Sequence, residues 1–146
     1  MALAGRLAGN RTLTLLAQTT IAGAVTGVTT TPVTELSGMG VLTVQFTFLY
    51  GANGTSVQAW IQTSFDGGTT WVDVIAFAAA TTAITRISSV RATTAVAANY
   101  TPTDGALTDN TIKDGLLGDR VRVKYTTVGT YSGATSLAIH AVAKGH

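Results

Sequence analysis

Residues 41–50, VLTVQFTFLY, decide the fold because apolar and polar side chains alternate along them. Every even-numbered position from Leu42 to Tyr50 is apolar or aromatic, whereas Thr43 and Gln45 lie between them. Successive side chains of a strand point to opposite faces, so this alternation is typical of a half-buried strand. The stretch therefore predicts a β-strand with one face in a hydrophobic core.

Several stretches on either side of this strand have the same character. Alternation, or enrichment in β-branched and aromatic residues, predicts further strands at Val57–Ser64, Trp71–Phe77, Thr82–Val90, Arg120–Val128 and Ser136–Ala143. The apolar, Thr-rich stretch Arg11–Thr34 predicts one or two more. Seven or eight short strands separated by glycine-rich turns indicate an all-β chain, folded as a single antiparallel β-sandwich of jelly-roll or Greek-key topology.

Turn signals indicate how some of these strands connect. The sequence DGG at residues 66–68 predicts that residues 57–77 form a hairpin. The sequence GTYSG at residues 129–133 predicts a second hairpin between the last two strands. Within the returning strand of the first hairpin, regular alternation places Asp73 and Ile75 on the same face.

Two segments fall outside the strand pattern. Residues 1–10 predict an N-terminal arm that precedes a β-sandwich domain at 11–146. The alternation is lost at about 92–117, where Pro102 and several Gly and Asp residues indicate a long loop or two short edge strands. A loop of this length in a compact domain is usually a functional or an interaction segment. The arm and the loop are therefore predicted to contribute to assembly.

The composition favours a protein that works by assembly. Only 11% of the residues are charged and the net charge is +2, against about 25% charged residues in an average domain. The chain contains 28 Thr, 22 Ala and 16 Gly, so the solvent faces of its strands are coated with small neutral side chains. Monomeric proteins usually carry more surface charge, which keeps them soluble and protects strand edges. Partners, including further copies of the chain, are expected to cover much of this surface.

The same composition excludes several functional classes. The chain has no Cys and two His, so disulfides, a metal site and a cofactor are not expected. It shows neither a paired-carboxylate motif nor a nucleophile motif, and we do not expect an enzyme. No apolar run approaches the roughly 20 residues of a spanning helix, and the basic excess is too small for a nucleic-acid binder. A role at a membrane or on nucleic acid is therefore not predicted.

The most recognisable motif is residues 64–71, SFDGGTTW, which fits the pattern Ser-x-Asp-x-Gly-x-Thr-Trp. It resembles the Asp box of sialidases and other glycan-acting β-propellers, in which the motif is a structural turn. The resemblance implies that Ser64 and Asp66 bond the turn backbone, with Gly68 in the turn and Trp71 packed beneath it. A propeller needs several such blades, and this chain has one copy. The motif therefore predicts a stapled hairpin turn and no catalytic role.

A wider set of segments resembles small structural proteins of tailed bacteriophages. The segments are AWIQTSFDGGTTWVDV at 59–74, DRVRVKY at 119–125 and SLAIHAV at 136–142. These phage proteins are β-sandwiches found among head, neck and tail components. The resemblance covers roughly half of the chain. It implies a virion protein, most of all a capsid decoration or cement protein that stabilises the head shell, with the major capsid protein as partner and a homo-oligomer, such as a trimer, as the working form.

The alternative interpretation is a head spike, neck or tail component, including a glycan-binding adhesion module. Aromatic side chains can stack on sugars, and four aromatic residues are candidates for such a platform. These are Trp60, Trp71, Tyr100 and Tyr131.

Charged residues suggest one partner-binding surface. Arg120, Arg122 and Lys124 recur at two-residue spacing and so share one strand face, and Arg6 and Arg11 lie near the N-terminus. The simpler interpretation of the strand cations is the solvent face of an amphipathic strand. Four acidic residues spaced by five could suggest a divalent cation, but the spacing is unlike a compact Ca²⁺ loop and favours a solvated loop. They are Asp104, Asp109, Asp114 and Asp119. His140 is interpreted as an ordinary strand histidine.

Overall fold

The computed structural model describes residues 9–145, so the predicted arm at 1–10 lies outside the described residues except for Gly9 and Asn10. Within the described range the chain contains strands and no helix, and all paired strands are antiparallel. The all-β, antiparallel prediction is confirmed. Residues 9–145 contain eleven strands, three of them only two residues long.

The long strands form two sheets. One sheet has four strands in the order β1 (Asn10–Thr20), β11 (Ser136–Gly145), β3 (Met39–Leu49) and β7 (Ile84–Arg91). The other has five in the order β2 (Val25–Thr29), β9 (Val121–Val128), β5 (Ser56–Thr63), β6 (Val72–Ala76) and β8 (Thr111–Ile112). The two-residue strands β4 (Ala52–Asn53) and β10 (Tyr131–Ser132) pair with each other at one end. Each strand expected between residues 41 and 143 is found within two residues of its predicted ends.

The two sheets pack face to face around one hydrophobic core, which makes the fold a β-sandwich. The even-numbered side chains of β3 point into it, and Phe46 is fully buried. The Phe46 ring lies 5.1 Å from the ring of Phe77, which directly follows β6 of the opposite sheet. Ile61 of β5 and Ile139 of β11 are also fully buried in this core. The prediction that residues 41–50 form a strand with one face in the hydrophobic core is therefore confirmed.

One predicted connection is wrong. The hairpin expected between residues 120–128 and 136–143 does not form, because β9 and β11 belong to different sheets. Strand β11 pairs on both sides, with β1 and β3, so it has no free edge to offer β9. The glycine-rich connection at 129–133 is instead a corner that carries the chain from one sheet to the other. Glycine-rich turns serve hairpins and corners alike, which is why the sequence did not distinguish them.

An aromatic corner holds this crossing in place. The ring of Tyr131 makes edge-on contacts with Phe48, at 6.0 Å between centroids, and with Tyr50, at 6.2 Å. Gly54 lies against the same ring: its φ is +73°, and a Cβ added there would fall on the ring atoms of Tyr131. Burial raises the pKa of the Tyr131 phenol. Tyr131 and Gly54 thus link the two connections that cross between the sheets.

Replacing Gly54 by Ala should destabilise the protein more than the same change at Gly67. Both glycines have positive φ, where an L residue is strained by about 1–2 kcal/mol, but a Cβ at Gly67 meets no atom within 4 Å. We expect Gly67→Ala to lower the unfolding free energy by about 1 kcal/mol and Gly54→Ala by about 3 kcal/mol, since the Tyr131 ring must also move. Urea unfolding measures both values. Equal losses would show that the ring does not rest on Gly54.

Candidate functional site

A β-bulge in β6 determines which side chains reach the outer face of the five-stranded sheet. Gln62 pairs with Asp73 and Ile61 pairs with Ile75, so Val74 is an extra residue in the ladder. Ile75 consequently points into the core, while Asp73 lies beside Gln62 on the opposite face. The expectation that Asp73 and Ile75 share a face is wrong, because the bulge interrupts the two-residue period.

Asp73 is fully buried under the long loop and binds it through one carboxylate. Its oxygens accept hydrogen bonds from the backbone amides of Gly105 (2.8 and 2.9 Å), Ala106 (3.0 Å) and Leu107 (3.1 Å), from the Thr103 hydroxyl (3.0 Å), and from the Gln62 side-chain amide (2.8 Å). A buried charge is tolerated when such donors satisfy it, and hydrogen bonds to a charged group are the strong ones. The loop is therefore wrapped around this carboxylate.

Further contacts spread the loop across the outer face of the sheet. The indole N–H of Trp60 donates to the Leu107 carbonyl at 3.1 Å, and these two side chains form a small apolar cluster with Ala76. The Gln58 amide donates to Asp109, whose second oxygen accepts from the Ala79 amide at 3.1 Å. Strand β8, within the loop, adds a short fifth strand beside β6. The segment at 92–117, predicted as an interaction loop, is thus a folded cover on the sheet.

The predicted basic surface on β9 is engaged within the chain. The Arg122 Nε–H donates to the side-chain oxygen of Gln62 at 2.7 Å, and the guanidinium lies 4.2 Å from the centre of the Trp71 ring. Lys124 pairs with Asp104 of the loop at 2.9 Å. Burial raises the pKa of Asp104, but hydrogen bonds from Gln62 and Lys124 and the nearby positive charges lower it below its ordinary value overall.

The other basic candidates within residues 9–145, Arg120 and Arg11, also contact the protein itself. Arg120 donates to the Gly67 carbonyl at 3.0 Å and pairs with Asp119 at 3.0 Å. A guanidinium nitrogen of Arg11 lies 3.4 Å from the Thr34 carbonyl oxygen at the sandwich edge. Arg6 lies outside the described residues. The strand cations therefore hold the loop and the turn, and their role in binding a partner stays a prediction.

The Asp-box-like sequence folds into a closed turn. The Ser64 hydroxyl accepts a hydrogen bond from the Gly68 amide and donates one to Asp66, each at 2.9 Å. Asp66 also accepts from the Thr69 and Thr70 amides, at 3.1 and 2.7 Å. The Trp71 indole N–H donates to the Gly68 carbonyl at 3.1 Å. The backbone amide of Thr70, more than any other group, lowers the pKa of Asp66 to about 2.

The aromatic residues considered for sugar stacking do not form an exposed platform. Trp60 lies under the loop, Trp71 under the turn and Tyr131 in the corner between the sheets, and all three are buried. Tyr100 is half-buried. The exposed ring in this region is Phe65 at the tip of the turn, which is 59% exposed and which the sequence did not single out. Together with Tyr100 it lines a groove of about 390 Å³.

The four spaced aspartates are separated in the structure. Each is satisfied by a different partner: Asp104 by Lys124, Asp109 by Gln58, Asp114 by Arg91, and Asp119 by Arg120. Across residues 9–145, no cluster of three or more His, Asp or Glu side chains is placed to hold a metal ion. The same part of the chain has no helix long and apolar enough to cross a membrane.

The outer face of the four-stranded sheet lies on the other side of the sandwich and is not covered by the loop. We call its middle three rows the uncharged face, because none of the side chains in these rows is Asp, Glu, Lys or Arg. By strand register it consists of Thr12, Thr14, Thr43, Gln45, Thr47, Thr85, Ile87, Ser89, Ala138, His140 and Val142. Ile87 is 64% exposed and, with Thr43, Gln45 and His140, helps to line a shallow depression of about 250 Å³. The next row of the same outer face contains Lys144, Val41 and Arg91, and Arg91 is paired with Asp114.

Comparison with protein-family models finds no match to this chain, and comparison with curated proteins finds none either. The site is therefore interpreted from its own geometry. Two features stand out, the loop fixed around Asp73 and the uncharged face on the other side of the sandwich.

Replacing Asp73 by Asn should loosen the loop and destabilise the fold. Asn has the same shape as Asp, but an NH₂ donor would take the place of one acceptor oxygen. Backbone N–H groups of residues 105–107 would then lose their acceptor, and a buried unsatisfied donor costs about 1–3 kcal/mol. We expect a loss of about 3 kcal/mol in unfolding free energy and faster proteolysis within residues 92–117. Asp119→Asn, which removes an exposed ion pair, is the matched control and should cost less than about 1 kcal/mol. Equal losses of unfolding free energy in the two variants would show that the loop does not depend on Asp73.

The carboxylate of Asp66 in the turn should have a pKa well below the usual range for Asp. Because the folded-state pKa of Asp66 is about 2 and the ordinary value is 3.8, its contribution to stability is present above pH 3.8 and is lost as the pH falls through about 2. An NMR titration of the Asp66 carboxyl carbon should show a midpoint near pH 2. In Ser64→Ala, which removes one hydrogen bond to the carboxylate, the midpoint should rise. A midpoint near 3.8 in the unmodified protein would contradict the turn geometry.

Proposed function

We propose that this protein is a non-enzymatic structural component of a tailed-bacteriophage virion, and that it acts as a decoration or cement protein on the head shell. The observation that carries the proposal is the uncharged face, an open side of the sandwich that presents hydroxyl, amide and apolar groups and the exposed Ile87. The similarity of segments 59–74, 119–125 and 136–142 to phage structural proteins supports the same class.

Burying the uncharged face has a low electrostatic cost. Removing ions from water is expensive, and this face contains none of the four charged residue types. The opposite sheet is closed by its own loop, so little of residues 9–145 needs to be ordered on contact, which lowers the entropy cost of association. Each contact is modest in area, but many copies on a symmetric shell act together and bind firmly. A rigid, weakly charged sandwich suits this mechanical role.

A second candidate is a spike, neck or tail component that binds a glycan. One observation favours it, the groove of about 390 Å³ that Phe65 and Tyr100 line beside the turn. Exposed aromatic rings in a groove can stack on sugar rings. A glycan array, followed by the same assay on Phe65→Ala, tests this candidate separately from the shell-binding proposal.

The test of the proposed function is co-sedimentation with empty heads of the parent phage. The protein should bind to saturation with a fixed copy number per shell. Ile87→Lys, which places a charge on the uncharged face, should reduce binding about tenfold or more, because the charge loses its hydration on contact. Val128→Lys is the matched control, since Val128 is 47% exposed but lies in the other sheet, and it should bind like the unmodified protein. Unsaturable binding, or no binding, would contradict the proposal.

A further inference from the structure

We infer that the groove beside the turn binds residues 1–4 of the same chain, so that the N-terminal segment closes it. Residues 1–8 have the sequence MALAGRLA and lie outside the described residues. The inference goes beyond the function proposed above and does not depend on shell binding. It follows from the chemistry of the groove, from the place where the described chain begins, and from the residue pattern of the segment.

The groove is an exposed apolar depression of about 390 Å³. Phe65 is 59% exposed and Val96 is 47% exposed, and both line it together with the half-buried Leu116. Among the described residues that line the groove, none is Asp, Glu, Lys or Arg. Large apolar side chains gathered in one exposed depression are typical of a binding site. Apolar side chains are therefore the matching occupant.

The groove offers few polar partners to a sugar. Asn99 and Tyr100 are the two polar side chains among its described lining residues. The Tyr100 hydroxyl oxygen already lies 3.3 Å from that of Thr103, and the Lys113 ammonium lies over the Tyr100 ring, 5.2 Å from its centre. A sugar would find few side-chain partners for its hydroxyls, and unpaired polar groups are costly to bury. An apolar side chain loses no hydrogen bond there.

The described chain begins near enough to the groove for the segment to reach it. One row across the four-stranded sheet runs from Asn10 in β1 to Arg91 in β7, three strand spacings or about 14 Å away. The Arg91 carbonyl accepts a hydrogen bond from the Gly115 amide at 2.8 Å, and Leu116 of the groove follows directly. Eight extended residues span up to about 27 Å. Residues 5–8 can therefore cross the end of the sheet and bring the first four into the groove.

The residue pattern of the segment fits this division. Alternate side chains of an extended segment point the same way, so Met1 and Leu3 can face the groove while the alanines beside them face water. Arg6 belongs to the crossing part and keeps its hydration. A short tether gives an effective concentration on the order of millimolar, so even a weak contact is occupied within one molecule. The segment of a second copy lacks this advantage in dilute solution.

A spin label on the segment, observed through the amide NMR signals of the full chain, tests the inference. The chain has no Cys, so Ala4→Cys provides a unique attachment point on the side that faces away from the groove. The label should broaden the signals of residues 96–100 and Phe65 more than those of Asn10 and Gly145, which lie where the described chain begins.

Two substitutions of equally exposed valines provide the matched comparison. Val96→Asp places a charge in the groove and should reduce the broadening at Phe65 about twofold or more, because the charge would lose its hydration. Val128→Asp should leave the broadening unchanged. Val128 is also 47% exposed, but it ends β9, whereas the groove lies near the end of the sheet where β9 begins at Val121. Leu3→Asp, which leaves residues 9–145 untouched, should have the same effect as Val96→Asp.

Three outcomes would overturn the inference. Broadening that is strongest at Asn10 and Gly145 would show that the segment does not enter the groove. Broadening of an isotope-labelled copy by the spin label of a different copy, in a mixed sample, would show that the groove takes the segment of a neighbour. Binding of a glycan by the full chain, lost in Phe65→Ala and unchanged in Leu3→Asp, would assign the groove to a sugar.

Discussion

The buried carboxylate of Asp73 is the interaction on which the rest of the structure depends. Three consecutive backbone amides, from Gly105 to Leu107, converge on it, together with a hydroxyl and a side-chain amide. Without them the carboxylate would be an uncompensated charge in a buried site, and without the carboxylate the loop would lose its main acceptor. Charge and loop therefore stabilise each other. This mutual dependence turns a long connection into a fixed layer over the sheet.

That layer makes the two sides of the sandwich unequal. On the five-stranded sheet, Arg122 and Lys124 face the loop and are satisfied by Gln62, Trp71 and Asp104. On the four-stranded sheet, the outward side chains are neutral except in the end row that holds Lys144 and Arg91, and no segment within residues 9–145 covers them. Only 11% of the residues are charged, and many of these charged side chains form ion pairs or hydrogen bonds within the chain. The uncharged face is the remaining surface suited to association.

The sequence predicted those parts of the molecule that depend on local rules. Alternation at 41–50 identified β3, and the spacing of Ser64, Asp66, Gly68 and Trp71 indicated a turn whose hydrogen bonds span only four residues. What depends on distant partners was not predicted. The bulge at Val74 is set by the pairing of β5 with β6, and the crossing at 129–133 by the strands that already flank β11. One signal was present, since an acidic residue in the apolar run VDVIAF indicates a charge that needs buried partners.

Hydrogen–deuterium exchange of the isolated protein tests the central claim, that the loop around Asp73 is part of the fold and leaves the other sheet as the open side. The account predicts that the amides of Gly105, Ala106 and Leu107 exchange slowly, with protection approaching that of β5, because opening them requires the buried carboxylate to lose its donors. Exchange of these amides as fast as in an unstructured peptide would contradict the account.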